Sequence, residues 1–191
     1  MISHPLATLT LAVSSRDHVQ GPARAPITLL EYGDYECPHC GSAYPIVEQL
    51  RQHFGDRMRF VFRNFPLTQV HQHAEMAAEA AESAAAQDRF WEMHRALFTH
   101  QKSLDKSHLL HYASQLGLDI LKFSQALAAH IFEQRVREDF MSGVRSGVNG
   151  TPTFFINGNR HDGPIDLSSL YEAINEVAVS GHKWGPYQQR D

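Results

Sequence analysis

Cys37-Pro38-His39-Cys40 holds both cysteines of a 191-residue chain. Two thiols separated by two residues can form an inert structural pair, supply part of a metal site, or exchange a disulfide with a partner. They cannot staple a fold over long range, so stability has to come from a packed core. A lone Cys-x-x-Cys lacks the further ligands that zinc needs, about four in all. His71 and His73 could complete a set, but 13 histidines are scattered along the chain and one such pair is expected by chance. We therefore expect no metal and no cofactor, and read the pair as redox-active.

The nucleophile in such chemistry is a thiolate, so something has to ionise one of the cysteines. The β-rich run Ile27-Thr28-Leu29-Leu30-Glu31-Tyr32 ends at the turn Gly33-Asp34 just before the motif. Beyond it Ala43, Ile46, Val47, Leu50 and Phe54 recur at helical spacing until Gly55-Asp56. Cys37 thus falls at a helix entry, where unpaired N–H groups and the helix dipole favour an anion. Pro38 suits the first helical position because it has no N–H to leave unpaired. His39 can donate a hydrogen bond or add a positive charge beside the sulfur. A helix terminus contributes about 0.3–2 kcal/mol and one pKa unit corresponds to about 1.4 kcal/mol, so the dipole supplies roughly one unit. Pro38 and His39 are accordingly assigned to tuning. Cys37 is the expected nucleophile, and Cys40, nearly one turn into the helix, the resolving thiol.

The rest of the chain alternates, then changes character. Arg59 to Phe65 reads as a second strand closed by Pro66, giving strand, helix, strand with the strands parallel. From there to Gly147 the periodicity is helical only. It comprises the alanine-rich run Ala74 to Ala86, an aromatic stripe at Phe90, Trp91, His94, Leu97 and Phe98, and segments around Leu109, Phe123 and Val136. Thr153 to Ile156 is again a strand, Asn157-Gly158 is a hairpin turn, and a helix follows from Asp166. The expected organisation is a lead-in over 1–24, an α/β core from 25–66 and 148–179, a helical insertion over 67–147, and a tail over 180–191 to which no function is assigned.

Composition limits the partners. Hydrophobic residues at 42% and charged residues at 20% are ordinary for a folded domain. A net charge of -4 without a lysine or arginine cluster argues against nucleic acid. No run approaches the roughly 20 apolar residues that span a bilayer. Leu6 to Val13 is short, contains Thr8 and Thr10, and has no cation before Arg16, unlike an export signal. The expectation from this is a cytoplasmic protein, with the periplasm less favoured and net flux of electrons in either direction open.

The motif after a strand, together with Val148-Asn149-Gly150-Thr151-Pro152-Thr153 opening a later strand, resembles the thioredoxin superfamily. The intervening helices make it similar to the DsbA-like branch, which has a helical domain inserted into a thioredoxin fold and often the same Pro-His pair. The resemblance covers roughly residues 25–178. It implies thiol:disulfide oxidoreductase activity on protein thiols or disulfides, with glutathione or another redox partner possible in the same role. It implies that Thr151-Pro152 is the cis-proline loop that binds an extended substrate peptide, and that Glu31, six residues before Cys37, is the buried acid that moves the proton of Cys40. Asn64-Phe65-Pro66-Leu67 with His71, the alanine-rich helix and Phe90 to His94 resemble cytoplasmic or antiporter-associated members of that group. His71 and His94 themselves read as packing or rim residues. Two other function classes remain open: glutathione-dependent transferase or isomerase chemistry on the same fold, and a binding or chaperone-like module with incidental cysteines.

Overall fold

A computed structural model describes residues 7–180. The tail assigned above to 180–191 falls almost entirely outside them. Along the chain run β1 (His18–Gln20), β2 (Ile27–Gly33), α1 (Pro38–Phe54), β3 (Met58–Asn64), α2 (Ala74–Ala85), α3 (Phe90–Thr99), α4 (Lys106–Gln115), α5 (Ile120–Ala128), α6 (Glu133–Arg145), β4 (Thr153–Ile156), β5 (Asn159–Arg160) and α7 (Leu167–Ser180). The strands form one sheet in the order β1-β3-β2-β4-β5. It is a thioredoxin fold carrying inserted helices.

The residues group into two compact units. Among the described residues, one contains 7–32, Ala43–Arg63 and 142–180; the other contains Gly33–Ser42 and Asn64–Met141. The motif segment thus groups with the helices of the second unit.

In the sheet unit, β2 is buried along its whole length, as expected of a strand covered on both faces. β1 pairs antiparallel with β3, placing Val19 opposite Val61. β2 pairs antiparallel with β4, with Glu31 opposite Phe154 and Tyr32 opposite Thr153. The β4–β5 hairpin turns at Asn157 and Gly158, with φ of 46° and 82°. Two successive left-handed residues match the twist of a tight hairpin, which is why Asn-Gly serves here. Asn157 also ties the turn to β2, because its Oδ1 accepts from the Thr28 N–H at 2.6 Å and its Nδ2 donates to the Pro26 carbonyl at 3.1 Å.

In the helical unit, α2 packs on α3, α4 and α5. Its alanines at 77, 80, 81 and 84 are fully buried, and their small side chains let neighbouring helices come close. Side-chain acceptors of Asp105 and Asp119 cap α4 and α5. The unit also buries charge. Asn64 donates through Nδ2 to Glu82 at 2.8 Å and through its main-chain N–H to Asp139 at 3.2 Å, while Arg135 pairs with Asp139. Burial pushes the Asp139 carboxyl above its ordinary range in spite of Arg135.

Candidate active site

Cys37 immediately precedes α1, and its carbonyl accepts the first helical bond, from the Gly41 N–H at 3.1 Å. That is the position of a helix cap, so the N–H groups of the first turn are left without partners in the helix. Cys37 is 4% exposed and Cys40 0%. Pro38 and His39 stand exposed between them. The four motif residues thus form one turn whose two sulfurs are buried and whose intervening side chains face outward.

Four residues before the helix, Asp34 holds that turn in place. Its side chain is fully buried. Oδ1 accepts from the Glu36 N–H at 2.8 Å, and Oδ2 accepts from the Leu67 N–H at 2.8 Å and faces His71 Nδ1 at 2.7 Å. The main chain of the same residue meets both cysteines: its N–H donates to Cys40 Sγ at 3.4 Å, and its carbonyl accepts from the Cys37 N–H at 3.2 Å. Burial opposes protonation of His71, but the hydrogen bond and charge of Asp34, together with Cys37 and Glu36, outweigh it and raise the pKa.

The neighbouring residues are held in the same way. Glu36 accepts from the His73 main-chain N–H at 2.6 Å and lies 3.0 Å from His73 Nδ1. Tyr35 Oη bonds His94 Nδ1 at 3.1 Å, with the Phe98 ring packed against both. Gln101 Nε2 donates to the carbonyls of Tyr35 at 2.8 Å and Cys37 at 2.9 Å. A Cβ on Gly41 would meet Gln101 Oε1 at 1.9 Å, so glycine is what lets this amide approach. Gln101→Ala is expected to lower stability by about 1–3 kcal/mol, at about 0.5–1.5 kcal/mol for each of the two hydrogen bonds lost. Urea denaturation measures it. Gly41→Ala should act in the same direction but more weakly, since the glutamine can withdraw.

Glu31, Thr151 and Pro152 belong to the sheet unit. Glu31 is 2% exposed on β2. The Thr151–Pro152 peptide is cis and leads into β4, and Thr153 Oγ1 donates back to the Gly150 carbonyl at 2.7 Å. His71 and His73 bond to carboxylates, and among the described residues no three of His, Cys, Asp and Glu are grouped to hold a metal ion. Asp34 and Gln101 were missed by the sequence reading, which took Asp34 as a turn residue. His94, read as a packing residue, is buried among aromatic rings and in addition bonds Tyr35.

Residues 14–176 match the family model described as Thioredoxin. The chain belongs to the thioredoxin family. Its likeness within that family is to DsbA-type proteins. Oxidised BdbD from Bacillus subtilis superposes with a TM-score of 0.80 at 23% identity, over 91% of this chain and 98% of the other. A Wolbachia pipientis alpha-DsbA1 gives 0.78 at 22%, over 91% and 96%. A thioredoxin-like oxidoreductase from Silicibacter pomeroyi gives 0.77 at 25%, over 87% and 94%. These likenesses are of fold. Among curated relatives, a Na(+)/H(+) antiporter NhaA 3 of Salinispora tropica is 48% identical over 165 residues, 86% of this chain and 25% of the relative. A Na(+)/H(+) antiporter NhaA of Herminiimonas arsenicoxydans is 43% identical over 165 residues, 86% and 26%. The chain thus spans about a quarter of the length of these relatives.

These matches overturn the cytoplasmic expectation. That expectation rested on the hydropathy and charge of the first residues of this chain alone, whereas the matching relatives are far longer proteins named as antiporters and the fold is shared with DsbA-type proteins. Among the described residues no helix is long and apolar enough to cross a membrane.

Proposed function

We propose that the chain is a thiol:disulfide oxidoreductase that exchanges disulfides with protein or small-thiol partners through Cys37 and Cys40. The observation that carries this reading is the placement of Cys37 at the cap of α1, with Cys40 one turn on and hydrogen-bonded to the Asp34 N–H. In the reducing direction the Cys37 thiolate attacks one sulfur of a partner disulfide. A Cys37–partner bond forms, and the other partner sulfur leaves with the electron pair and takes a proton. Cys40, deprotonated, then attacks Cys37 Sγ, forming the Cys37–Cys40 disulfide and releasing the second partner thiol. The oxidising direction is the reverse.

The remaining roles belong to the same proposal. Pro38 and His39 tune the first thiol, Glu31 moves the proton of Cys40, and Thr151-Pro152 offers backbone groups to an extended peptide. Residues 25–66 and 148–179 act as the thioredoxin-like core and 67–147 as the insertion. Glutathione is a small-thiol candidate. The antiporter names of the curated relatives favour cysteines of a membrane transporter as a protein partner.

Equilibration of the chain with buffers of varied reduced-to-oxidised glutathione ratio tests the reading. Acid quenching and thiol alkylation should reveal one transition between dithiol and a Cys37–Cys40 disulfide, and the oxidised form should then oxidise a dithiol peptide faster than glutathione disulfide alone. A chain that never forms the internal disulfide across the whole series would overturn it.

A further inference from the structure

Asp34 poses an electrostatic difficulty for a thiolate. Its carboxylate is fully buried, and its main chain touches both members of the dithiol. A buried negative charge one loop away opposes the formation of another on Cys37. The carboxylate cannot simply be dispensed with, because it fixes the Glu36 and Leu67 N–H groups and so the loop that leads into α1. The group facing it is the His71 imidazole, whose Nδ1 lies 2.7 Å from Oδ2 and whose side chain is 17% exposed. A protonated imidazole there completes a neutral pair and leaves the carboxylate its structural bonds.

We propose that His71 is a positioning residue for the dithiol: as an imidazolium bonded to Asp34 it cancels the buried carboxylate and lets Cys37 ionise near neutral pH, which makes the disulfide a stronger oxidant. This rests on the exchange reading given under the proposed function. It differs from the role usual for a histidine inside the motif, because His71 lies 37 positions from its carboxylate and comes from the segment between β3 and α2. The charged groups that act on it are Asp34, Glu36 and Cys37, all in the motif loop. On its own segment His73 Nδ1 lies 3.0 Å from Glu36 Oε1. The direction of the His71 pKa agrees, since the negative groups around it outweigh its burial.

Ionisation and redox equilibrium are coupled with a definite sign. Loss of the imidazolium destabilises the thiolate, hence the reduced form, and the disulfide becomes harder to reduce. His71→Gln keeps an N–H donor for Asp34 but carries no charge. In the reduced full chain, thiolate ultraviolet absorbance followed against pH should show Cys37 ionising about one unit higher than in the wild type. The equilibrium constant against glutathione should move about tenfold toward the disulfide, which is about 30 mV for a two-electron couple. His71→Lys restores a cation and should return both values most of the way.

Unchanged ionisation in a folded His71→Gln chain would overturn the proposal, as would a shift that His71→Lys does not reverse, since that would make the effect one of shape. The wild type gives a reading that needs no variant. By reciprocity the His71 ring resonances should titrate at higher pH in the dithiol form, with Cys37 ionised, than in the disulfide form. Identical titrations in the two forms would overturn the proposal even if His71→Gln did not fold. Failure of the wild type to form a Cys37–Cys40 disulfide with glutathione is a separate result, and it would remove the exchange reading itself.

Discussion

Cys37→Ser is expected to abolish exchange down to the rate of the uncatalysed reaction, while Cys40→Ser is expected to react once and remain joined to its partner through Cys37. The two cysteines are both buried, so exposure alone does not assign their roles; 4% against 0% is too small a difference to decide it. Their places in the helix do. Cys37 caps α1, where the first-turn N–H groups and the dipole contribute about 0.3–2 kcal/mol toward an anion, equivalent to about one pKa unit. Cys40 lies inside the helix, 0% exposed, its sulfur accepting from the Asp34 N–H. Without Cys40 the mixed disulfide has no internal nucleophile to resolve it, and it accumulates. Mass spectrometry after incubation with a disulfide-containing peptide, under non-reducing conditions, gives the answer directly. A Cys37→Ser chain that exchanges at the wild-type rate would refute the mechanism, and a trapped adduct on Cys40 in that variant would reverse the two roles.

The parts of this site that are contiguous in sequence were legible there, and the parts assembled by burial were not. Cys37, Pro38, His39 and Cys40 declare a dithiol by spacing alone, and the strand before and helix after follow from local periodicity. Asn157-Gly158 announced its hairpin for the same reason, since the turn chemistry is complete in two residues. Asp34 gave no such signal. A Gly-Asp pair after a strand is a common turn, and what makes this aspartate different is that its partners Leu67 and His71 lie 33 and 37 positions onward. Gln101, 64 positions from the Cys37 carbonyl it bonds, was invisible for the same reason. Gly33–Ser42 groups with residues 64–141 through such partners distant in sequence. The compartment was misjudged for a different cause: hydropathy at one end of a chain reports only on that end, and the relatives extend far beyond it.

The largest expected effect on stability comes from the sheet unit. Arg63→Met is expected to lower the free energy of unfolding by about 3–5 kcal/mol, the cost of leaving a buried partner charge unpaired. Arg63, 1% exposed on β3, uses all five of its N–H donors. Nε and one Nη2 proton grip Asp17 at 2.7 and 3.1 Å, two more reach the Leu11 and Ala12 carbonyls at 2.9 and 3.2 Å, and the fifth meets Tyr32 Oη at 3.0 Å. Tyr32 in turn bonds Ser142 at 2.8 Å, so one guanidinium ties the segment before β1 to β2, β3 and α6. Burial alone would make the guanidinium easier to deprotonate, but Asp17 more than offsets it and the pKa is raised. Methionine fills similar volume yet strands the Asp17 carboxylate, which is itself 1% exposed. Arg63→Lys keeps the charge but cannot reach five acceptors, and should cost about 1–3 kcal/mol through the acceptors it abandons. Pairing Arg63→Met with Asp17→Leu removes both charges at once, and the double variant should lose less than the sum of the singles by more than about 1 kcal/mol. Urea unfolding of the four proteins closes the cycle. Additive losses would mean that the carboxylate is solvated once the arginine is gone, and the network would then be holding the lead-in segment by packing rather than by charge.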